Sequence, residues 1–231
     1  MLNTFIIHVK GAHKREKHIK TQLQKFNLSS EFILDGNKKS ITETILDTYF
    51  KDEMHKVSAQ TSCALKHILA YKRVIEKNLN QALILEDDII LQHNFNEVIE
   101  HIINEIKEKR LTNYFISLEN SNHDYIKKSE VVEGQTLYKK ERGRCAGAYL
   151  IDSECAKNML LQINENRCSL PIDWFHNDLS ELQKINIYWS HPYIAVQGSH
   201  NGSLPSLIDN KKTGWFRKIV YFFQGKIKSR I

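Results

Sequence analysis

The 231-residue sequence is short of several residue types, and each shortage excludes something. Three prolines and nine glycines leave no room for collagen-like or Pro/Gly low-complexity architecture. The four cysteines, Cys63, Cys145, Cys155 and Cys168, form no CxxC pair and no regular spacing. That pattern suits a reducing, cytoplasmic setting in which thiols are buried as small hydrophobes. No apolar run approaches the roughly 20 residues of a membrane-spanning helix, and residues 1–10 lack the basic-then-apolar pattern of a secretory signal. GxxxxGK[ST], GxGxxG, HExxH and GxSxG are all missing. A Ser/His/Asp hydrolase would need a nucleophile elbow that this chain does not contain.

Acidic residues are missing after Asp209, and there the charge is informative. Lys211, Lys212, Arg217, Lys218, Lys226, Lys228 and Arg230 carry seven positive charges; taking them from the net +6 leaves −1 for residues 1–210. A near-neutral body with a basic tail is not the footprint of a nucleic-acid-binding domain, which would spread positive charge over its folded surface. The body has 41% hydrophobic residues, enough for a genuine core.

Thr4 to Val9 reads as a buried strand, and Ile19, Leu23 and Phe26 recur at the spacing of an amphipathic helix. Glu31 to Leu34 is a second strand stopped by Asp35-Gly36. Strand, helix, strand suggests a right-handed crossover in a parallel sheet. Residues 37–60 read as loop with short helical pieces. A helix capped by Thr61 or Ser62 follows, with Leu65, Ile68, Leu69 and Ile75 on one face. Ala82 to Leu85 is an apolar strand, and Asn94 with Glu97 forms a capping box for a helix lined by Phe95, Val98, Ile99, Ile102, Ile103 and Ile106. Tyr114 to Leu118 is a strand; Thr136 to Lys140 and Cys145 to Ile151 read as a strand pair. A helix capped by Ser153, a helix from Pro171 to about Leu182, and late strands at Ile185 to Trp189 and Tyr193 to Val196 complete one α/β domain.

The sharpest local feature is Glu86-Asp87-Asp88 at the end of the third strand. Three adjacent carboxylates repel one another unless cations or donors neutralise them. At the carboxyl edge of an α/β sheet, where ligands bind, such oxygens suit Mg²⁺ or Mn²⁺. An acidic strand-to-loop turn accounts for the same three residues.

The sequence resembles glycosyltransferase family 25, the sugar transferases of lipopolysaccharide and lipooligosaccharide synthesis. The pieces that carry the resemblance run in order: FIIHV followed by Lys14-Arg15, EFILDG, SCALKH, ALILEDDIIL, CAGAYLI, PID and HPYIAVQ. The resemblance implies a GT-A-like (Rossmann-like) nucleotide-sugar-binding domain with a mixed central sheet over residues 1–210. It also implies inverting, Mn²⁺- or Mg²⁺-dependent transfer of a hexose from a UDP-sugar. Galactose is the expected sugar, with glucose and N-acetylhexosamine as alternatives, and a lipid-linked oligosaccharide is the expected acceptor.

By that resemblance Asp88 is the first metal ligand, Glu86 contacts metal or ribose, and Asp87 supports the loop. His200 completes the metal site, with His191 in reserve, although His200 also reads as a solvent-exposed loop histidine in a Gly/Ser-rich stretch. Asp173 is the candidate base that takes the acceptor's proton; capping a helix that begins near Trp174 is its structural alternative, and Asp178 and Glu119 are the next candidates. Ile7, His8 and Arg15 are expected at base and phosphates, although Arg15 also reads as a solvated helix residue. Asp35 would hold uracil or ribose, or simply form an Asp-Gly turn. His67 is a substrate contact or a satisfied core histidine. Gly147, with Ala148 and Tyr149, lets backbone approach the sugar or packs a strand.

In the tail, residues 211–231, Trp215, Phe216, Ile219, Val220, Tyr221, Phe222 and Phe223 interleave with the basic residues. That combination fits an anionic membrane surface, each basic residue contributing on the order of 1 kcal/mol. A C-terminal helix packed on the body is the alternative. The expected location is the inner face of a bacterial inner membrane, without nucleic acid as partner. The reading from another class is a non-catalytic, peripheral membrane-binding protein whose carboxylate cluster is structural.

Overall fold

A computed structural model describes residues 2–121 and 125–199. His200 and the basic tail therefore lie outside the described residues. Among the described residues, nine strands and six α-helices follow one another: β1 (Thr4–Ile7), α1 (His13–Lys25), β2 (Ser30–Ile33), α2 (Glu43–Tyr49), α3 (Ala59–Glu76), β3 (Gln81–Glu86), β4 (Ile89–Leu91), α4 (Phe95–Glu108), β5 (Tyr114–Ser117), β6 (Leu137–Lys140), β7 (Ala148–Asp152), α5 (Ser153–Asn166), α6 (Ile172–Glu181), β8 (Asn186–Ser190) and β9 (Ala195–Gln197).

The main sheet has seven strands in the order β2-β1-β3-β7-β5-β8-β6, and β4 pairs with β9 in a separate ribbon. Strand β1 runs parallel to β2 and β3, and β5 parallel to β8, while β7 and β6 are antiparallel to their neighbours. The sheet is mixed, as expected. The chain leaves β1 toward β2 and returns to β3 on the other side of β1, so the crossover direction reverses there. Such a switch point opens a crevice outside the carboxyl ends of the strands.

Two cores cover the two faces. In β3, Ile84 points into one with Leu65, Ile68 and Tyr71 of α3, whereas Leu83 and Leu85 point into the other with Ile19 and Leu23 of α1 and Phe95, Val98 and Ile102 of α4. That alternation is the period-2 geometry of a strand buried on both faces. No helix among the described residues is long and apolar enough to cross a membrane.

Several expectations need correction. Helix α3 begins at Ala59 and is capped by Ser58, whose hydroxyl accepts from Thr61 N, one turn before the expected Thr61 or Ser62. Helix α5 is capped by the Asp152 carboxylate, which accepts from Cys155 N, and not by Ser153. Asn94 occupies the cap position of α4 but makes no side-chain capping bond. Strands β6 and β7 do not pair with each other: β6 joins β8, and β7 lies between β3 and β5. A short strand was missed at β4, directly after the acidic triplet.

Candidate active site

The carboxyl ends of β1 and β3 border a pocket of about 640 Å³. Ile7, His8, Arg15, Glu86 and Asp87 line it, so five of the expected residues converge there. Residues 37–40 and one face of α3, with Ala59, Ser62, Cys63 and Lys66, form the opposite wall.

The acidic triplet divides its labour. Asp87 is buried and clamped: Arg15 Nη1 donates to Oδ1 at 2.6 Å and His8 Nδ1 donates to Oδ2 at 2.8 Å. Burial pushes the Asp87 carboxyl up, but the His8 bond and the Arg15 charge outweigh it and hold the group below its ordinary value. Arg15 is therefore no solvated helix residue; it continues the buried stripe of Ile19 and Leu23 at four-residue spacing. Asp88 is also buried. Its Oδ2 accepts from Ser199 N at 3.3 Å and lies 3.4 Å from Arg15 Nη2, but its Oδ1 makes no hydrogen bond. Burial and the Glu86 charge push Asp88 up against the opposing Arg15 charge. Glu86 is half-buried, with Oε1 3.5 Å from both Cys63 Sγ and His67 Nε2.

A buried oxygen without a donor, next to a second carboxylate, is a place a hard divalent cation fits, because such ions prefer oxygen ligands and need few from the protein. His200 directly follows Ser199 in the chain but is not described. His191 sits elsewhere, edge-on to Tyr138 beyond β8.

Asp173 lies in the first turn of α6, which starts at Ile172 with Pro171 at the cap position, so Asp173 is not the N-cap. Burial pushes its carboxyl up; the N–H groups of Asp173 and Trp174 oppose this, and the charge of Glu86 raises it further while that of His67 lowers it. Asp173 thus feels the same cluster. Asp178 is exposed. Glu119 is fully buried; its Oε1 accepts from Gly147 N at 2.8 Å and Ala148 N at 3.4 Å, while Oε2 has no partner. Burial, with the Glu86 charge, lifts its pKa to about 8.

Asp35 is exposed and does not line the pocket; its backbone carbonyl accepts from Lys66 Nζ at 2.8 Å. Gly147 packs so closely that an added Cβ would collide with the Gln197 side chain. Its carbonyl accepts from Glu86 N at 2.7 Å, which extends the β3–β7 ladder to the acidic end. His67 is a core histidine bonded through Nδ1 to Tyr149 Oη at 2.7 Å. Sequence reasoning missed Cys63, Ser62 and Lys66. Ser62 Oγ donates to Gly36 O, and the Lys66 ammonium reaches the carbonyls of Ile33, Leu34 and Asp35, so both pin the turn after β2. The available signal was polar residues at helical spacing within an otherwise apolar helix.

The family model for glycosyltransferase family 25 (LPS biosynthesis protein) matches residues 1–176. The chain belongs to glycosyltransferase family 25. It is 28% identical over 206 residues to a Haemophilus influenzae (strain ATCC 51907 / DSM 11121 / KW20 / Rd) protein named "Putative glycosyltransferase", covering 84% of this chain and 70% of that protein. Among solved structures it is similar to a UTP-bound UGPase from Acinetobacter baumannii (10% identity, 96% of this chain, 93% of that one, TM-score 0.45). A UDP-glucose pyrophosphorylase complexed with UDP-glucose matches with 8% identity over 82% of this chain and 90% of that one, TM-score 0.42. At these scores the structural likeness carries no functional weight. As a family-25 member the chain is a glycosyltransferase, and the pocket at the β1/β3 edge is its candidate active site.

Proposed function

We propose that this glycosyltransferase moves a hexose, with inversion, from a UDP-sugar to a lipooligosaccharide or lipopolysaccharide acceptor. The observation that carries the reading is that Glu86 and Asp87 line a pocket at the sheet's switch point in a family-25 chain, with the buried Asp88 directly behind them in the sequence. In this reading the nucleotide occupies the pocket against Ile7, His8 and Arg15, while Arg15 and His8 neutralise Asp87 so that Asp88 and Glu86 are left for a Mn²⁺ or Mg²⁺ ion. When bound, that cation supplies Lewis-acid stabilisation to the departing diphosphate. Asp173 is the base that accepts the acceptor hydroxyl's proton, and its upward-shifted carboxyl makes it a stronger base than an ordinary aspartate. Galactose as the donor sugar rests on the family resemblance alone; glucose and N-acetylhexosamine are the competing donors. The lipid-linked acceptor draws on the family's description.

The basic, aromatic tail belongs to the same proposal. Residues 211–231 hold the enzyme on the anionic inner face of a bacterial inner membrane, where a lipid-linked acceptor is presented.

A screen of nucleotide sugars for Mn²⁺-dependent hydrolysis, followed by acceptor screening with the preferred donor, tests the reading. UDP-galactose should be consumed fastest. Asp173→Asn should retain UDP binding and lose transfer by about 10²–10⁴-fold; substantial retained turnover would reject Asp173. Deleting residues 210–231 should release the protein from anionic vesicles, and unchanged co-sedimentation would reject the tail's role.

A further inference from the structure

Helix α3 places Cys63 and His67 four residues apart, on one face, opposite the end of β3. Cys63 Sγ and His67 Nε2 each lie 3.5 Å from Glu86 Oε1, and all three atoms are within 4.8 Å of one another. A tetrahedral Zn²⁺ with bonds of about 2.3 Å to sulfur and 2.0–2.2 Å to nitrogen and oxygen separates its ligands by roughly 3.4–3.6 Å. We propose that Cys63, His67 and Glu86 form a binding site for a thiophilic divalent cation, with Zn²⁺ the best fit.

Two further features point to a ligand. His67 is fully buried, yet its Nε2 makes no hydrogen bond and is aimed at the Glu86 carboxylate. Its other nitrogen is bonded to Tyr149 Oη, which meets Tyr71 Oη at 3.1 Å, which in turn meets His176 Nε2 at 2.6 Å. This four-residue chain can run in two directions. In one, Tyr149 donates to His67, and Nε2 carries the hydrogen. In the other, His67 Nδ1–H donates to Tyr149, Tyr149 to Tyr71, and Tyr71 to His176, which leaves the Nε2 lone pair pointing at Cys63 and Glu86. The second direction is the arrangement in which metal-bound histidines are held, the far N–H fixed by an outer-shell acceptor.

Glu86 is common to this site and to the oxygen-only pair proposed for the nucleotide-bound cation; Cys63 and His67 supply the sulfur and nitrogen that favour zinc over magnesium or manganese. Cys63 and Glu86 both line the pocket. Three protein ligands leave a fourth position for water or a substrate oxygen, the pattern of an open rather than a structural zinc site. Binding exchanges the Cys63 thiol proton, released to solvent, for the metal bond. The inference does not rest on the nucleotide-sugar reading.

The test uses the full chain without a histidine tag, stripped by chelator and titrated with Co²⁺ in the absence of nucleotide. The expected result is a saturable near-ultraviolet thiolate-to-cobalt absorption band that Zn²⁺ abolishes. Cys63→Ser should lose the band while Cys145→Ser keeps it, both with native far-ultraviolet circular dichroism. Tyr149→Phe, which removes the outer-shell acceptor, should weaken Co²⁺ binding by about 10–100-fold. The isosteric Glu86→Gln, which should also fold, should weaken it at least tenfold. No band in the native chain, or an equal band in Cys63→Ser, overturns the proposal. That outcome would leave UDP and Mn²⁺ binding at Asp88 untouched, so the two readings fail separately.

Discussion

Arg15 Nη1 lies 2.6 Å from Asp87 Oδ1, a buried ion pair that ties α1 to the end of β3 across 72 residues of sequence. The pair answers the electrostatic question posed by three consecutive carboxylates. One of them is neutralised internally, and the same guanidinium reaches within 3.4 Å of Asp88 Oδ2. Removing one partner leaves the other's charge buried with fewer partners, Asp87 with His8 or Arg15 beside Asp88, and breaking a buried ion pair in this way costs up to about 3–5 kcal/mol. Asp87→Asn should therefore lower stability by about that much in urea unfolding, and Arg15→Met likewise. The double variant should lose clearly less than the sum of the two, since they remove one shared interaction.

Glu119 sets a pH dependence. Its folded pKa of about 8 lies above its ordinary value of 4.5, so the folded chain binds the proton more tightly than the unfolded chain. Its contribution is fully present below pH 4.5 and is lost as pH rises toward about 8, at up to about 1.4 kcal/mol per pH unit. Glu119→Gln keeps an acceptor for Gly147 N–H and should flatten the stability profile over that window. An unchanged profile from chemical denaturation at stepped pH would show that Glu119 ionises normally.

Gly147 predicts a steric effect. Because its missing Cβ would occupy the space of the Gln197 side chain, Gly147→Ala should destabilise by about 1–3 kcal/mol, the usual range for overpacking. Gly147→Ala combined with Gln197→Ala should recover most of that loss in thermal unfolding.

Lys66 runs in the opposite sense to Glu119. Burial lowers its pKa from 10.5 to about 8, and the folded chain therefore holds that proton less tightly than the unfolded one. Stability should rise with pH between about 8 and 10.5 through this residue, and Lys66→Met should remove the rise. Loss of the donor to the carbonyls of Ile33, Leu34 and Asp35 should also loosen the turn before Gly36, seen as faster amide exchange there.

Much of this architecture could be read from residue pattern. The apolar stretches of β1, β3 and β5 and the 3.6-residue period of α4 are local signals, and each element formed where its pattern lay. Strand β4 escaped because three residues after an acidic turn give too short a period to detect, and its partner β9 is more than 100 residues away. The pairing of β6 with β8 is likewise a long-range choice that local pattern does not encode. At the site, the triplet at positions 86–88 was conspicuous, but the distinct environments of its members were not. Asp87 is clamped by His8 and Arg15, whereas Asp88 takes Ser199 N and a longer contact from Arg15, and all three partners lie far away in the sequence. Cys63 was hidden because polar residues on a buried helix face merely dilute an amphipathic pattern; His67 was singled out as a substrate contact or core histidine, but its approach to Glu86 appears only when β3 is brought opposite the helix.

The central claim is that Asp88 holds the cation of a nucleotide-sugar donor at the β1/β3 edge. Its most direct test is calorimetric titration of UDP with and without Mn²⁺, for the native chain and for Asp88→Asn. The account predicts tight binding by the native chain only when Mn²⁺ is present, and at least tenfold weaker, Mn²⁺-indifferent binding by the variant. Equal Mn²⁺-dependent affinity in both proteins would contradict it.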